Sequence, residues 1–384
     1  MPTRRLWALL LTALVAVVGV RLTIASPEAC APPTAGEART SALAAATWLV
    51  ENQAEDGTYA YAVDPDGEPI AGYNTVRHAG VTLSLYQAAG AGDPAAFDAA
   101  ERGLDWMVDR LERRDDWVAL TEGSYVPLGG SALMLAALAE RRVVTTEETY
   151  DDVMEGLGRF LVAMQRDNGD FFVSYDLATD EPDRVTISQY YAGEALWAIA
   201  RLQNALPHDA FRTSAEDAAH FIANERDDRD FVPVGPLNDH WAAYGFAEMA
   251  AWPIDDSEAD YARALYGRFQ LLIRWEAQKD GGAPYSWSHG PQRRAAALGT
   301  WVEGQAALAR LARADERVDD LRTETRDSTA CGAGVLIERQ QRGDDSRVAG
   351  AWFTDGESRM DDQQHAISSL LALAELLERD DTHG

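Results

Sequence analysis

Cysteine is nearly missing from this chain: Cys30 and Cys331 are the two in 384 residues. Two cysteines, with no Cys-x-x-C, exclude a cysteine-rich zinc site. Basic residues are scarce as well, 34 lysines and arginines against 63 acids, for a formal net charge of -29. Such a surface repels DNA, RNA and anionic lipid, so no nucleic-acid partner is expected. A strongly anionic polymer would need a local basic patch. The acid excess reads as a salt-adapted or solubilising surface. A phosphate-cradling glycine loop and a Gly-x-Ser-x-Gly elbow are both absent. No stretch is β-rich enough for a second domain, and no Pro/Gly/Ser-rich linker interrupts residues 40–380.

The N-terminus has a different character. Arg4-Arg5 precede Leu6–Val20, an uncharged apolar run of fifteen residues, followed by Arg21 and the small-x-small triplet Thr23-Ile24-Ala25. This is the layout of a secretory signal peptide. A spanning helix needs about 20 apolar residues, and Arg21 interrupts the run. Residues 1–25 are therefore expected to be a signal peptide or an uncleaved N-terminal anchor through residues 6–25, with 26–39 an exported tail. Thr3-Arg4-Arg5-Leu6-Trp7 is a partial twin-arginine pattern, and Pro27-Glu28-Ala29 before Cys30 is not a lipobox. The expected location is extracellular, periplasmic or cell-surface, with membrane contact only if the segment stays in place. Residues 1–25 hold three arginines and no acid, so the chain without them carries -29 - 3 = -32. Export would permit a disulfide. Cys30 and Cys331 are then either a bridge between the N-terminal tail and the sixth repeat or two free thiols.

Residues 40–380 repeat. A helical stretch, an anchor that is polar in five of the six copies, a charged turn and an aromatic residue recur six times, with anchors at Gln53, Leu111, Gln165, Glu225, Gln278 and Gln341. The best copies are Trp48–Tyr59, containing Gln53-Ala-Glu-Asp-Gly57-Thr-Tyr59, and Phe160–Phe171, containing Gln165-Arg-Asp-Asn-Gly169-Asp-Phe171. Weaker copies end at Trp117, Phe231, Tyr285 and Trp352. The aromatic residues Tyr59, Trp117, Phe171, Phe231 and Tyr285 are expected to pack the repeats. Self-similarity at a fixed period means one supersecondary unit, repeated. Leu157, Phe160, Leu161 and Met164 fall on one helical face. The segment after each turn is alanine-rich and apolar nearly all round: 79–89, 131–139, 193–202, 242–251, 304–312 and 366–377. Helices apolar on all sides are buried, so these form an inner set. The more charged first helices, such as Asp98–Arg113, form an outer set.

The Gln-x-x-Asp-Gly-x-aromatic turn resembles the repeat of the α/α-toroid superfamily, which includes squalene-cyclase-like proteins, prenyltransferase subunits, and six-hairpin glycosidases, epimerases and lyases. The resemblance implies an all-α fold: one (α/α)6 toroid of six helical hairpins, with inner and outer helix rings. The alternative is an open α-solenoid. The resemblance also implies that inner-helix N-termini converge on one mouth of the ring.

That slot holds the chain's concentration of reactive side chains. Repeat 1 has Tyr73, Asn74, Arg77 and His78; repeat 3 has Gln189, Tyr190 and Glu194; repeat 4 has Asp239, His240, Trp241 and Tyr244. Repeat 5 has Trp301 and Glu303, and repeat 6 has Arg359, Asp361, Asp362, Gln364 and His365. Repeat 2 offers only Ser124, Tyr125 and Ser131. The catalytic candidates are His78, Glu194, Asp239, His240, Glu303, Asp361 and His365. The substrate-binding candidates are Tyr73, Asn74, Arg77, Gln189, Tyr190, Trp241, Tyr244, Trp301, Arg359, Asp362 and Gln364. Burial would raise Glu194 or Glu303 toward general-acid range. Each has a plain alternative: Asn74, Asp239 and Asp361 as N-caps, Arg77 as the partner of Glu194 or Glu303, a histidine as a satisfied core residue.

Three functions follow. The first is a carbohydrate-active enzyme acting on a glycan or uronate-containing saccharide. Hydrolysis would use a carboxylate pair; lyase or epimerase chemistry would use a histidine base with Arg77 or Arg359 on a uronate carboxylate. The second is a terpenoid cyclase or prenyltransferase relative, disfavoured because Asp361-Asp362-Gln363-Gln364 lacks the Asp-x-Asp-Asp pattern and no zinc triad surrounds Cys331. The third is a non-catalytic ligand-binding or assembly protein that uses the mouth as a receptor for a small molecule or glycan. No cofactor is expected, and the long spacings among His78, His240 and His365 carry no metal signature.

Overall fold

The computed structural model describes residues 2–23, 30–233, 235–252, 254–281 and 285–381. After α1 (Pro2–Thr23), outer helices alternate with inner ones. The outer helices are α2 (Ala35–Glu51), α4 (Pro94–Val108), α6 (Asp151–Ala163), α8 (Asp209–Asn224), α11 (Asp256–Gln278) and α14 (Arg322–Arg339). The inner helices are α3 (Thr75–Gly90), α5 (Leu128–Thr145), α7 (Tyr191–Ala205), α10 (His240–Glu248), α13 (Ala295–Ala314) and α15 (Met360–Asp381). Two single turns, α9 (Arg226–Arg229) and α12 (Tyr285–Ser288), sit within hairpins, between the outer and inner helices of the fourth and fifth. Each inner helix packs on the next, from α3 through α5, α7, α10 and α13 to α15, and α15 packs back on α3. The ring is closed, and α2 seals it by lying mainly against α15. This is the (α/α)6 toroid, not an open superhelix.

The repeat motif works as a clasp between outer helices. Gln53 Nε2 donates to Gly57 O at 3.1 Å and to Ala99 O of α4 at 2.9 Å. Gln165 does the same to Gly169 O at 3.3 Å and Ser214 O of α8 at 2.9 Å. The glycines are obligatory: φ is +86° at Gly57 and +87° at Gly169, and a Cβ would meet Arg102 O at 2.3 Å or Asp217 O at 2.2 Å. Tyr59 and Phe171 then turn inward and are buried.

The sixth copy corrects the expected register. Gln340, not Gln341, makes the clasp, to Gly350 O and to Ser41 O of α2, both at 2.9 Å. Gly350 has φ +86° and a would-be Cβ 2.3 Å from Ala44 O, and Trp352 follows as the buried aromatic. A longer turn between anchor and glycine hid the match. Its partner is α2, so the sixth clasp closes the ring.

Two other copies diverge. Helix α4 stops at Val108 rather than running to Arg113, and Leu111 lies in β3 (Leu111–Arg113), paired with β4 (Val118–Leu120). In the fourth copy Phe231 is 89% exposed at φ 53°, so it does not pack the repeat as expected. The fifth copy runs through residues 282–284, which lie outside the described residues.

Short strands trim the N-terminal mouth of the inner ring. β1 (Ala62–Val63) pairs antiparallel with β2 (Pro69–Ile70) and with β8 (Ser358–Arg359), joining the first repeat to the sixth. β5 (Tyr125–Pro127), β6 (Ser174–Asp176) and β7 (Glu181–Pro182) form a second small sheet. Cys30 and Cys331 are disulfide-bonded, Cα atoms 5.2 Å apart, which fastens the segment before α2 to α14. Among the described residues no helix is long and apolar enough to cross a membrane. Ile24, Ala25 and Pro27–Ala29 lie outside the described residues.

Candidate active site

Inner-helix N-termini do converge, around a cavity of about 480 Å³. Every inner helix contributes: Val76 and Arg77 of α3, Leu133 of α5, Glu194 of α7 with Tyr190 before it, and His240 and Trp241 of α10. Trp301 of α13, and Asp361, Gln364 and His365 of α15 with Arg359 before them, complete the wall. Helix starts expose unpaired backbone N–H groups and the positive end of the helix dipole, which favours polar, acid-bearing residues there.

The centre is a histidine pair. The rings of His240 and His365 stand edge to face, centroids 5.1 Å apart, with Trp241 beside both. Glu303 reaches them from α13. Its Oε2 accepts from His365 Nδ1 at 2.7 Å and lies 3.6 Å from His240 Nε2, while its Oε1 accepts from Tyr244 at 3.2 Å. The two imidazoles are driven apart in proton affinity. Burial, and then the charge of His365, hold His240 well below the usual imidazole range. Burial also opposes a charge on His365, but Glu303 beside it wins and lifts it above its ordinary value. Burial pushes the Glu303 carboxyl up, so the pair holds one proton between Oε2 and Nδ1.

Glu194 is the other exceptional acid. It is buried, its Oε2 has no hydrogen-bond partner among the described residues, and burial together with nearby Asp239 raises it to about 8. It is a neutral carboxylic acid at pH 7. On the opposite wall, Asp361 Oδ2 serves two guanidiniums, Arg359 at 3.0 Å and Arg77 at 3.4 Å. Arg77 therefore pairs with Asp361 and, through Nη1, with Tyr61, rather than with Glu194 or Glu303. Trp241 and Trp301 supply aromatic walls.

Other candidates lie elsewhere. His78 is fully buried behind the wall, its Nδ1 on Tyr73 Oη at 2.6 Å, its Nε2 on Gly103 O at 2.8 Å and its ring stacked on Trp106. Burial lowers it to about 4. It is a core histidine, and Tyr73 serves it rather than the cavity. Asp239 caps α10 through Trp241 N at 3.0 Å and is paired with the buried Arg226 at 2.5 Å. Asp362 is locked to Arg294 at 2.7 Å and caps α13 through Ala296 N at 3.0 Å. Both acids are consumed structurally. Asn74 is the N-cap of α3 and lines a neighbouring groove. Gln189 is exposed outside the cavity wall. Tyr244 sits beneath the floor, facing a second cavity at the opposite mouth.

Sequence reasoning missed Val76, Leu133, Ala296, Ala297 and Thr300, which line the cavity without a chemical signature. It also missed Arg226 and Arg294, whose roles appear only once their carboxylates are located.

Donor atoms of His240, Glu303 and His365 all lie within 4.8 Å of one another, so these three could hold a metal. Two ligands of a tetrahedral zinc with bonds of about 2.0–2.2 Å stand roughly 3.3 Å apart. The 2.7 Å His365–Glu303 separation is a hydrogen bond, so a metal would have to displace it.

No protein-family model matches the chain, and no curated protein matches it. Solved structures do. A cellobiose 2-epimerase from Spirochaeta thermophila superimposes with TM-score 0.65 at 15% identity, covering 91% of this chain and 98% of that one. An unsaturated glucuronyl hydrolase specific for heparin gives 0.65 at 12%, covering 89% and 98%. An α-1,6-mannanase from Salegentibacter gives 0.61 at 12%, covering 88% and 99%. At these identities the likeness establishes the toroid fold.

Proposed function

We propose that this chain is an exported enzyme that moves a proton on a saccharide, at a carbon next to a carbonyl or carboxylate, as an epimerase or lyase does. One observation carries the reading: two imidazoles 5.1 Å apart in one cavity have proton affinities displaced in opposite directions. Groups pushed apart in this way divide into base and acid. His240, neutral, takes the proton from carbon. Arg77 and Arg359 face the oxygen on which negative charge develops. His365, kept protonated by Glu303, returns a proton to carbon in an epimerase or to the leaving oxygen in a lyase. Trp241 and Trp301 hold the sugar faces. The toroid neighbours act on saccharides by their names, in keeping with this class. Export is supported by the Arg4-Arg5/Leu6–Val20 segment and by the disulfide.

The decisive experiment is incubation with a panel of neutral and uronate-containing saccharides in deuterated water. Deuterium should enter the carbon beside the carbonyl or carboxylate, or an unsaturated product should appear. His240→Ala and His365→Ala should abolish both.

Glu194 favours a second reading. A neutral carboxylic acid at about 8 in the cavity is what a glycosidase general acid requires. New reducing ends without carbon-bound deuterium would select hydrolysis and overturn the proton-transfer mechanism.

A further inference from the structure

A second space lies beside the cavity. A groove of about 320 Å³ crosses the starts of α3, α5 and α7, and Val76 lines both it and the cavity. One side carries Asn74, Glu122 and Tyr125; the other carries Thr186, Ile187 and Tyr191. Exposed large apolar side chains gather here. Among the described residues outside α1 there are nine; Tyr125 and Ile187 line this groove, Tyr190 lines the cavity beside it, and Val185 directly precedes the groove residue Thr186. Tyr125 is 40% exposed and Ile187 56%. Exposed apolar side chains beside a polar pocket mark a binding surface.

The rim is held in place rather than loose. Tyr125 Oη donates to Glu122 Oε1 at 3.0 Å, and Glu122 Oε2 accepts from Thr75 N at 3.1 Å at the start of α3. Across the groove Asp183 Oδ1 accepts from Val185 N at 2.8 Å and Thr186 N at 3.2 Å, and Ser188 Oγ accepts from Tyr191 N at 3.3 Å. Both walls are therefore built before any ligand arrives, which lowers the ordering cost of binding.

We infer that this groove is a second saccharide subsite, so that the substrate is an oligosaccharide of at least two units whose reacting unit sits in the cavity. The inference rests on the carbohydrate reading above. Three features select a sugar as occupant. The groove adjoins the cavity, since Val76 lines both and the neighbouring residues Tyr190 and Tyr191 line one each, so a chain leaving the cavity on that side meets it. Aromatic and aliphatic faces suit the C–H faces of a pyranose. The hydroxyl, amide and carboxylate groups between them suit its hydroxyls. A polyanionic chain is disfavoured by Glu122 in the groove and by the net charge of -29.

The test separates subsite from reaction. Binding is measured by calorimetry, and exchange by deuterium incorporation, on glucose, cellobiose and cellotetraose and on mannose, α-1,6-mannobiose and α-1,6-mannotriose. In at least one series the two-unit sugar should bind more tightly than its monosaccharide. Tyr125→Ala and Ile187→Ser should each erase about 3- to 10-fold of that gain. Neither should change the monosaccharide constant or the melting temperature. Ile187→Ser guards against a fold defect, since removing Tyr125 also frees Glu122. Affinity independent of length, or a loss shared equally by monosaccharide and oligosaccharide, would overturn the subsite. Length-dependent binding without exchange would leave the subsite standing and defeat the proposed reaction.

Discussion

Glu303 of α13 ties two inner helices together: its carboxylate accepts from His365 Nδ1 of α15 at 2.7 Å and from Tyr244 Oη of α10 at 3.2 Å. With Nδ1 engaged, Nε2 is the ring nitrogen of His365 left for the cavity. Tyr244, coming from beneath the floor, keeps the carboxylate aimed. One acid thus sets the orientation and the charge of one imidazole, and that charge adds to burial in depressing the other.

Glu303→Gln should therefore cost about 100- to 10,000-fold in turnover, the usual scale for losing a positioned proton donor. Loss of the carboxylate removes what raises His365, so the high-pH limb of the rate profile should move to lower pH. An unchanged limb would mean that Glu303 is only structural.

Glu194→Gln separates the two reaction classes. Under proton transfer by histidines, the change should alter turnover less than about 10-fold and flatten the wild-type profile near pH 8, where Glu194 ionises. Under hydrolysis it should cost at least about 100-fold. The comparison is kcat against pH for both proteins on the same saccharide.

His78 should govern acid sensitivity. Its folded pKa of about 4 lies below the ordinary 6.5, so the native state resists protonation. Its neutral form is fully favourable above pH 6.5, and the contribution is lost as pH falls from there toward 4, by about 3 kcal/mol. Denaturant unfolding at pH 7 and pH 4.5 should show a smaller acid-induced loss in His78→Gln than in wild type. An equal loss would assign acid sensitivity elsewhere.

Gly350→Ala should destabilise the chain by about 1–3 kcal/mol, because alanine is strained at φ +86° and its Cβ meets Ala44 O. Gly92→Ala is the control: also positive φ, but with open space around it. A larger loss at Gly350 measured by urea unfolding identifies the ring-closing clasp as a stability determinant; equal losses would reject it.

Salt should stabilise this protein. With a net charge of -29, like-charge repulsion is screened as the Debye length shrinks from about 10 Å at 0.1 M to about 3 Å at 1 M. The melting temperature should rise across that range of sodium chloride, and a flat or falling curve would show that the acids are already locally paired.

Much of the fold was legible because its grammar is local. The Gln-x-x-Asp-Gly-x-aromatic turn needs a left-handed glycine and an inward aromatic a fixed number of residues later, and Gly57/Tyr59 and Gly169/Phe171 obey it. Where the clasp uses a longer turn, as from Gln340 to Gly350, the register was misjudged by one residue. Phe231 matched the pattern in type but not in backbone, and it ended in solvent.

The sequence by itself determined that apolar helices alternate with charged ones, that six such pairs follow one another, and that polar side chains collect where inner helices begin. Those are properties of composition and spacing along one chain. Tertiary structure alone decided which of these side chains are free to act. His78 and His365 look alike in the chain, yet one is buried against Trp106 and the other faces the cavity on Glu303. Asp239, Asp361 and Asp362 all start inner helices, yet Asp239 is sealed by Arg226, Asp362 by Arg294, and Asp361 remains at the cavity wall between two arginines. The reason is physical: a buried charge survives only with a partner. That partner lies 13 residues away for Asp239 and 68 for Asp362, and only the folded chain sets the distance between them.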